Sequence, residues 1–441
     1  MSLFRRRPSF RGGYWFAQPH DVPGEPIGEI SPTAPLAVPL ADGSCPAASP
    51  VVEAGQAVAP GQLIARSQDQ DGLPAHAPVS GNVIEIGRAD TADACDVPAI
   101  VIEPDPVRRA DAQSVGTPLP DRPGLDKLIE RFEAAAVINT VDNEPLHQQL
   151  ARARQRPIHH VIVNSIESQP PLVAQRRQLA ERPTDVLDAA EMIGHAIGAR
   201  RLWLAISNTA GGLVRSLQQR CGGRPTRLAA LAPKYPQESP VILVHTLLGL
   251  AVPPGHNTLD AGVLVLDVGT ALAAGRATRN GQPHTHRVLT VAGDAAERPG
   301  CYRVAVGTSL ADVCEHVGLR GPLRRVVVGG VMTGLAVSDL HTVVTRTTSA
   351  VLFLSQSWCG RPIACVRCGA CMDHCPVGLA PASLLSAFEL DQADASELYP
   401  EACIECGVCS LVCPSHLPLL LAAQRLKARA GVRRAAEATS P

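Results

Sequence analysis

Lysine is almost missing from this 441-residue chain: of 40 basic residues, only Lys127, Lys234 and Lys427 are not arginine. An excess of either charge is missing too. The net charge of −1 removes any broad electrostatic case for nucleic acid or an anionic membrane surface. Long apolar runs are absent: the best candidate, 241–252, contains His245 and falls short of the ~20 apolar residues of a membrane span. The opening MSLFRRRPSFRGG has arginines but no following apolar stretch, so no secretory signal is expected. A protein in a reducing compartment, cytosolic or peripheral to a membrane, is expected. No serine or cysteine nucleophile arrangement occurs. His159, His160, His284, His286 and His374 lack metal-ligand spacing, and the glycine pairs Gly211-Gly212 and Gly329-Gly330 are too short to claim a nucleotide.

Two cysteine runs carry chemistry. Cys365, Cys368, Cys371 and Cys375 precede Pro376; Cys403, Cys406, Cys409 and Cys413 precede Pro414. Each reads C-x-x-C-x-x-C-x-x-x-C-P, the bacterial ferredoxin spacing, in which the fourth cysteine ligates the other cluster. One [4Fe–4S] cluster is therefore assigned to Cys365, Cys368, Cys371 and Cys413, and a second to Cys403, Cys406, Cys409 and Cys375. Gly369 and Gly407 follow the second cysteine of each run, where a missing Cβ permits a tight turn. A disulfide framework suits short secreted chains, and zinc prefers two separated pairs of ligands. The other six cysteines (Cys45, Cys95, Cys221, Cys301, Cys314, Cys359) are expected to be small buried residues.

The length allows about three domains. Residues 36–104 read as short strands with turn signals. The stretch Val51 to Ala65, followed by His76-Ala77-Pro78-Val79-Ser80-Gly81, resembles a biotinyl/lipoyl-type barrel-sandwich domain. No lysine lies between Leu36 and Arg108, so covalent carriage is excluded and an interaction or framing module remains. After a Pro- and Asp-rich linker at 103–123, apolar runs at His160 to Asn164 and Leu202 to Ile206 flank a helical pattern over 183–198, which implies a right-handed crossover in a parallel sheet. Further strands are expected at 241–244 and 263–266. The stretches 287–294 and 300–308 read as a hairpin, 310–317 as a short helix, and 326–330 as a strand and turn. The tail, 417–438, reads as an amphipathic helix that packs on the cysteine module.

This order resembles the RnfC family, the C-subunit of the Rnf ion-translocating electron-transport complex. Beyond the cysteines, the resemblance rests on Phe10-Arg11-Gly12-Gly13, His76-Ala77-Pro78-Val79-Ser80-Gly81, Lys234-Tyr235-Pro236-Gln237, Val268-Gly269-Thr270-Ala271, Val291-Ala292-Gly293-Asp294 and Val328-Gly329-Gly330-Val331-Met332-Thr333-Gly334. It implies an α+β multidomain chain: an N-terminal extension at 1–35, a barrel-sandwich domain at 36–104 and a Rossmann-like α/β domain at 120–280. A β-grasp of the SLBB type at 285–320 and a two-[4Fe–4S] ferredoxin-like α-helical domain at 350–441 complete it. Members of that family take a hydride from NADH onto FMN and pass electrons to their clusters. Membrane subunits of an Rnf-like complex are the implied partners, with a soluble ferredoxin or a dehydrogenase as donor, at the cytoplasmic face of the inner membrane.

The departures fall on one pocket. Where the family has a loop resembling G-L-G-G-A-G-F-P-T, this chain has Asn139-Thr140-Val141-Asp142-Asn143-Glu144-Pro145-Leu146-His147, with no glycine and two carboxylates that would repel a phosphate. Where the family resembles N-G-A-E-C-E-P-Y, it has Asn164-Ser165-Ile166-Glu167-Ser168-Gln169-Pro170-Pro171, keeping Asn164, Glu167 and Pro170. Glu238-Ser239-Pro240-Val241 replaces a G-G-E-K continuation. Asn164 and Glu167 are thus the remnant of a degenerate FMN/NADH pocket, with a structural strand-end turn as their other reading. The chain is expected to relay electrons through its clusters without FMN or NADH of its own. The rival is an NADH-oxidising flavoprotein, in an Rnf complex or like the related cobalamin reductase. A third reading, clusters that only brace an assembly, stays open.

Overall fold

The computed structural model describes residues 9–17, 25–41, 45–68, 72–105, 107, 112–356, 360–392 and 395–439, with side chains as far as residue 431. Cys359 and the first eight residues lie outside it. The N-terminal β unit closes two antiparallel sheets on one core. One sheet runs in the order Leu36–Pro39, Val97–Pro104, Gly81–Ala89, Ala57–Val58, and the other Ser49–Pro50, Leu63–Arg66, Ala75–His76. Period-2 placement sends Leu36, Val38, Val83, Ile100 and Ile102 inward, where they meet Ile64. His76 is buried with them, and burial, with Arg346 nearby, pushes its imidazole down to about 3.

The α/β unit has a four-stranded parallel sheet in the order Thr226–Leu231, Arg201–Ser207, His160–Asn164, Val263–Asp267. The strands at 160–164, 201–207 and 263–267 are largely apolar on both faces because helices cover both, so they read as continuous runs. Pro183–Ala196 is helical as the periodicity requires, with Pro183 at its first turn. The strand expected at 241–244 is instead the helix Pro240–Leu248. A short apolar run has no period to separate the two states. Proline at the first helical position and Gly249 in the left-handed region (φ 71) just past its end decide for the helix. The fourth strand, Thr226–Leu231, carries small residues and gave no clear strand signal.

A six-stranded mixed sheet follows, in the order Gly28–Ile30, Gly300–Ala305, His286–Ala292, Ala350–Leu354, Arg325–Val328, Leu335–Val337. The expected hairpin is there, with registers such as Val288↔Arg303, and so is the helix Leu310–Val317, capped by Ser309. The expected boundaries at 320 and 350 do not hold: the sheet continues to Leu354, and Phe353 lies in its core. It also draws Gly28–Ile30 out of the expected N-terminal extension by parallel pairing of Gly28 with Tyr302. Three residues paired with a strand some 270 residues away leave no local pattern to read.

The C-terminal module is helical: Ala370–Asp373, Pro381–Glu389, Val408–Leu411 and Leu419–Thr439. The long helix packs Ala423 and Leu426 against Leu384 and Ala387. Among the described residues, no helix is long and apolar enough to cross a membrane.

Candidate functional site

The two cysteine runs fold as copies of one another. Arg367 (φ 54) and Glu405 (φ 57) turn the chain after the first cysteine. Gly369 (φ 78) and Gly407 (φ 75) then start the short helices Ala370–Asp373 and Val408–Leu411, a left-handed backbone that glycine adopts without strain. The copies interleave. Cys375, from the first run, lines one cavity with Cys403, Cys406 and Cys409. Cys371 lies within electrostatic reach of Cys413. Cys365 and Cys368 are exposed, so one group of sulfurs opens to solvent and the other is enclosed. Ser415 ties the runs together, its hydroxyl donating to the Ala364 carbonyl at 3.0 Å while its own carbonyl accepts from Ile363 N at 3.1 Å.

The donor set fits a cluster. Leu379 N donates to Cys375 Sγ at 3.3 Å and Glu405 N to Cys403 Sγ at 3.4 Å, which favours negative sulfur. Burial, reinforced by the neighbouring thiols, pushes Cys406 and Cys409 up to about 12. Such thiols stay protonated unless a cation balances the thiolate, the service iron provides. Among the described residues no three His, Cys, Asp or Glu side chains meet as a single-ion site. The enclosed thiols surround a space instead of converging on a point.

Two lysines that composition had marked only as rare hold this module. Lys427 Nζ donates to the Cys403 carbonyl at 2.9 Å and to Glu405 Oε1 at 2.7 Å. Lys234 Nζ donates to the Phe10 carbonyl at 2.8 Å, under a strap that reaches Cys375. Their rarity in an arginine-rich chain was the available signal.

The second candidate region is the crevice at the carboxyl ends of His160–Asn164 and Val263–Asp267, where the strand order reverses and open α/β sheets place ligands. Here it is occupied by the chain's own bonds. Asp267 Oδ1 accepts from Thr270 N at 2.5 Å, and Gln175 Oε1 accepts from Gly269 N at 3.1 Å, so these two N–H groups at this helix start are taken. Asp267 Oδ2 accepts from Gln175 Nε2 at 2.8 Å and from the Thr140 hydroxyl, with the buried Arg287 at 3.9 Å. The glycine-free loop is a tight hairpin of Ile138–Asn139 with Glu144–Pro145. Its half-buried carboxylates are bonded within the chain: Gln149 Nε2 donates to Asp142 at 3.0 Å and to Glu144 at 3.3 Å, and Arg152 pairs with Glu144. Burial pushes Asp142 up to about 6.

Asn164 and Glu167 have local tasks. Asn164 Oδ1 accepts from Ile166 N and its Nδ2 donates to the Glu238 carbonyl, both at 3.0 Å, which shapes the strand-end turn. Glu167 accepts from Gln175 N at 2.9 Å and Arg176 N at 3.1 Å at the start of the helix Ala174–Glu181. Gln169, where the family has an acid, accepts from Met332 N at 3.1 Å, and its amide fills the space beside Gly330. Burial pushes Glu167 and Glu238 up to about 7.

Three stretches match known families: residues 9–107 the RnfC barrel sandwich hybrid domain, 142–276 the Nuo51 FMN-binding domain, and 364–417 the 4Fe-4S dicluster domain. Together they define a multidomain iron–sulfur protein with a barrel-sandwich unit, an FMN-binding-type α/β unit and a dicluster unit. The C-subunit of the ion-translocating oxidoreductase complex of Pseudomonas aeruginosa is 33% identical over 364 residues, 80% of this chain and 47% of that protein. The C-subunit of the proton-translocating ferredoxin:NAD(+) oxidoreductase complex of Clostridium ljungdahlii is 29% identical, over 89% of this chain and 87% of that protein. Its Rhodobacter capsulatus counterpart, from an ion-translocating oxidoreductase complex, is 28% identical, over 76% and 66%. The chain is a relative of the RnfC proteins of the Rnf complex. It spans about half the length of the Pseudomonas protein. Among solved structures, an NAD+-reducing [NiFe]-hydrogenase matches with a TM-score of 0.49 and 18% identity, over 69% of this chain and 63% of that one.

Proposed function

We propose that this chain is the iron–sulfur electron-transfer subunit of an Rnf-like, membrane-associated oxidoreductase complex, relaying electrons through two [4Fe–4S] clusters without an FMN or NADH site of its own. The observation that carries the reading is the exchange of fourth cysteines, with Cys375 lining one cavity with Cys403, Cys406 and Cys409. When bound, the clusters supply one-electron chemistry with little rearrangement. The residues present do the rest: Cys365, Cys368, Cys371 and Cys413 hold the outer cluster and Cys375, Cys403, Cys406 and Cys409 the inner. Leu379 N and Glu405 N offset thiolate charge at the inner one. Single-electron relay needs no general acid or base.

The flavin-free part rests on the crevice. A phosphate there would have to displace Asp267 and Gln175 from the Gly269 and Thr270 N–H groups, beside two more carboxylates. The match to an FMN-binding domain accounts for the sheet and its helices, a Rossmann-like framework that persists once a pocket is filled. The hairpin and helix at 286–317, with the strands that extend their sheet to Leu354, support the reading of an SLBB-type β-grasp. The partners are membrane subunits of the complex, with a soluble ferredoxin or a dehydrogenase as electron donor, at the cytoplasmic face of the inner membrane.

The full chain, reconstituted with iron and sulfide under anaerobic conditions, tests this. Two [4Fe–4S] signals reducible by dithionite, with no flavin retained after incubation with FMN, are expected. A stoichiometric flavin bleached by NADH refutes the flavin-free part, and a chain that takes up no iron refutes the whole.

A further inference from the structure

Two motifs of the family resemblance, Phe10-Arg11-Gly12-Gly13 and Lys234-Tyr235-Pro236-Gln237, lie more than 200 residues from one another in the chain and touch neither the crevice network nor the exposed cysteines in any bond described above. Both end on the enclosed group of cysteines. The Tyr235 hydroxyl donates to the Cys406 carbonyl at 2.6 Å. Gly13 N donates to the His374 carbonyl at 2.8 Å, next to Cys375. Gly12 lies so close to the Cys375 carbonyl that a Cβ would stand 2.7 Å from it. The motifs also bind each other. Tyr14 and Tyr235 exchange backbone hydrogen bonds at 2.8 and 2.9 Å, and Lys234 Nζ sits 4.6 Å from the centre of the Phe10 ring while donating to its carbonyl. Phe16 closes the far side, edge-on to Tyr235 at 5.7 Å.

Cys375 and Cys406 come from different runs but line one cavity. A strap and a turn that grip one ligand segment from each run therefore act on a single cluster. Tyr235 is 1% exposed, so its hydroxyl is a fixed dipole with its positive end toward that cluster's backbone. The bond polarises the Cys406–Gly407 peptide and keeps water from the same carbonyl. A donor so placed favours the more negative, reduced form.

We infer that Tyr235, braced by the Phe10–Tyr14 strap, is a positioning residue for the cluster of Cys375, Cys403, Cys406 and Cys409, and raises the reduction potential of that cluster without acting on the other. The inference rests on the electron-transfer reading above. It assigns to the Lys234–Gln237 turn a role in tuning iron–sulfur chemistry in place of a role in holding a nucleotide.

The test is a redox titration of the reconstituted full chain, followed by electron paramagnetic resonance. The signal that Cys409→Ser alters identifies the enclosed cluster. In Tyr235→Phe, both clusters assemble and only that signal moves, to a lower potential, by about tenfold in the one-electron equilibrium, or roughly 59 mV. Gly12→Ala presses on the other limb of the same cluster and moves the same signal alone; it carries the comparison should Tyr235→Phe not take up iron. Wild-type chain without clusters overturns the electron-transfer reading and this inference with it. Wild-type chain with both clusters, and variants in which neither potential moves or both move alike, overturns this inference only.

Discussion

Replacing Lys427 by methionine keeps the aliphatic stem and removes the ammonium group that joins the Cys403 carbonyl to Glu405. Two interactions are lost, and their sizes differ. A hydrogen bond from a charged donor contributes about 1.5–3 kcal/mol, and the Cys403 carbonyl that loses it is part of a half-buried ligand loop. The ion pair joins side chains 35% and 38% exposed, so solvent screening reduces it to about 0.2–1 kcal/mol. The carbonyl bond decides the outcome, and Lys427→Met is expected to weaken the loop by about 2 kcal/mol. If loop opening limits iron loss, that is about 30-fold in rate, since ~1.4 kcal/mol is tenfold. The assay is anaerobic iron release from the reconstituted chain to a strong chelator. Release should be biphasic, the exposed Cys365 and Cys368 side going first, and the variant should speed the slow phase only. Glu405→Gln should change that phase less than about fivefold, consistent with a coupling energy below about 1 kcal/mol in the double-mutant cycle. Equal effects of Glu405→Gln and Lys427→Met, or an unchanged slow phase in Lys427→Met, would refute the reasoning.

Burial raises Glu238 from its ordinary 4.5 to about 7, with Glu167 beside it shifted likewise. Between those values the folded chain keeps a proton that the unfolded chain releases, so stability falls as pH rises through the window. Glu238→Gln should flatten that fall, read as urea midpoints at pH 5 and 7.5; parallel wild-type and variant curves would contradict it. Asp267→Ala removes a helix cap worth about 1 kcal/mol and leaves the buried Arg287 without its nearest carboxylate, for a total of about 2–4 kcal/mol. Asp267→Asn keeps an acceptor for Thr270 N and should cost less, and equal losses in the two variants would show that the cap is unimportant. Phe353→Ala, in the core of the mixed sheet, should cost about 3–5 kcal/mol by the same unfolding measurement.

Much of the site was legible because its rules are local. Ligand spacing is a property of consecutive residues, and the left-handed glycines Gly369 and Gly407 sit where the cysteine pattern needs a turn. The hairpin 286–305 and the helix Pro183–Ala196 were readable for the same reason, each having its own period and punctuation. The helix Pro240–Leu248 was misread because the short apolar run at its start, Val241 to Val244, fits either state, and only its capping residues separate them. The strand Gly28–Ile30 was unreadable, its partner lying some 270 residues away.

The sequence by itself determined which cysteines carry the dicluster ligand spacing, that a glycine loop is missing, and that no lysine lies between Leu36 and Arg108 for covalent carriage. Tertiary structure alone decided what bonds in the crevice: Asp267 and Gln175 occupy N–H groups of a helix start. It also decided that the strap at Gly12 and the hydroxyl of Tyr235 meet the same group of cysteines. The physical reason is one of range. Coordination spacing and turn chemistry act over a few residues, whereas burial, hydrogen-bond satisfaction and the grip of one segment on another depend on groups that only the folded chain brings together.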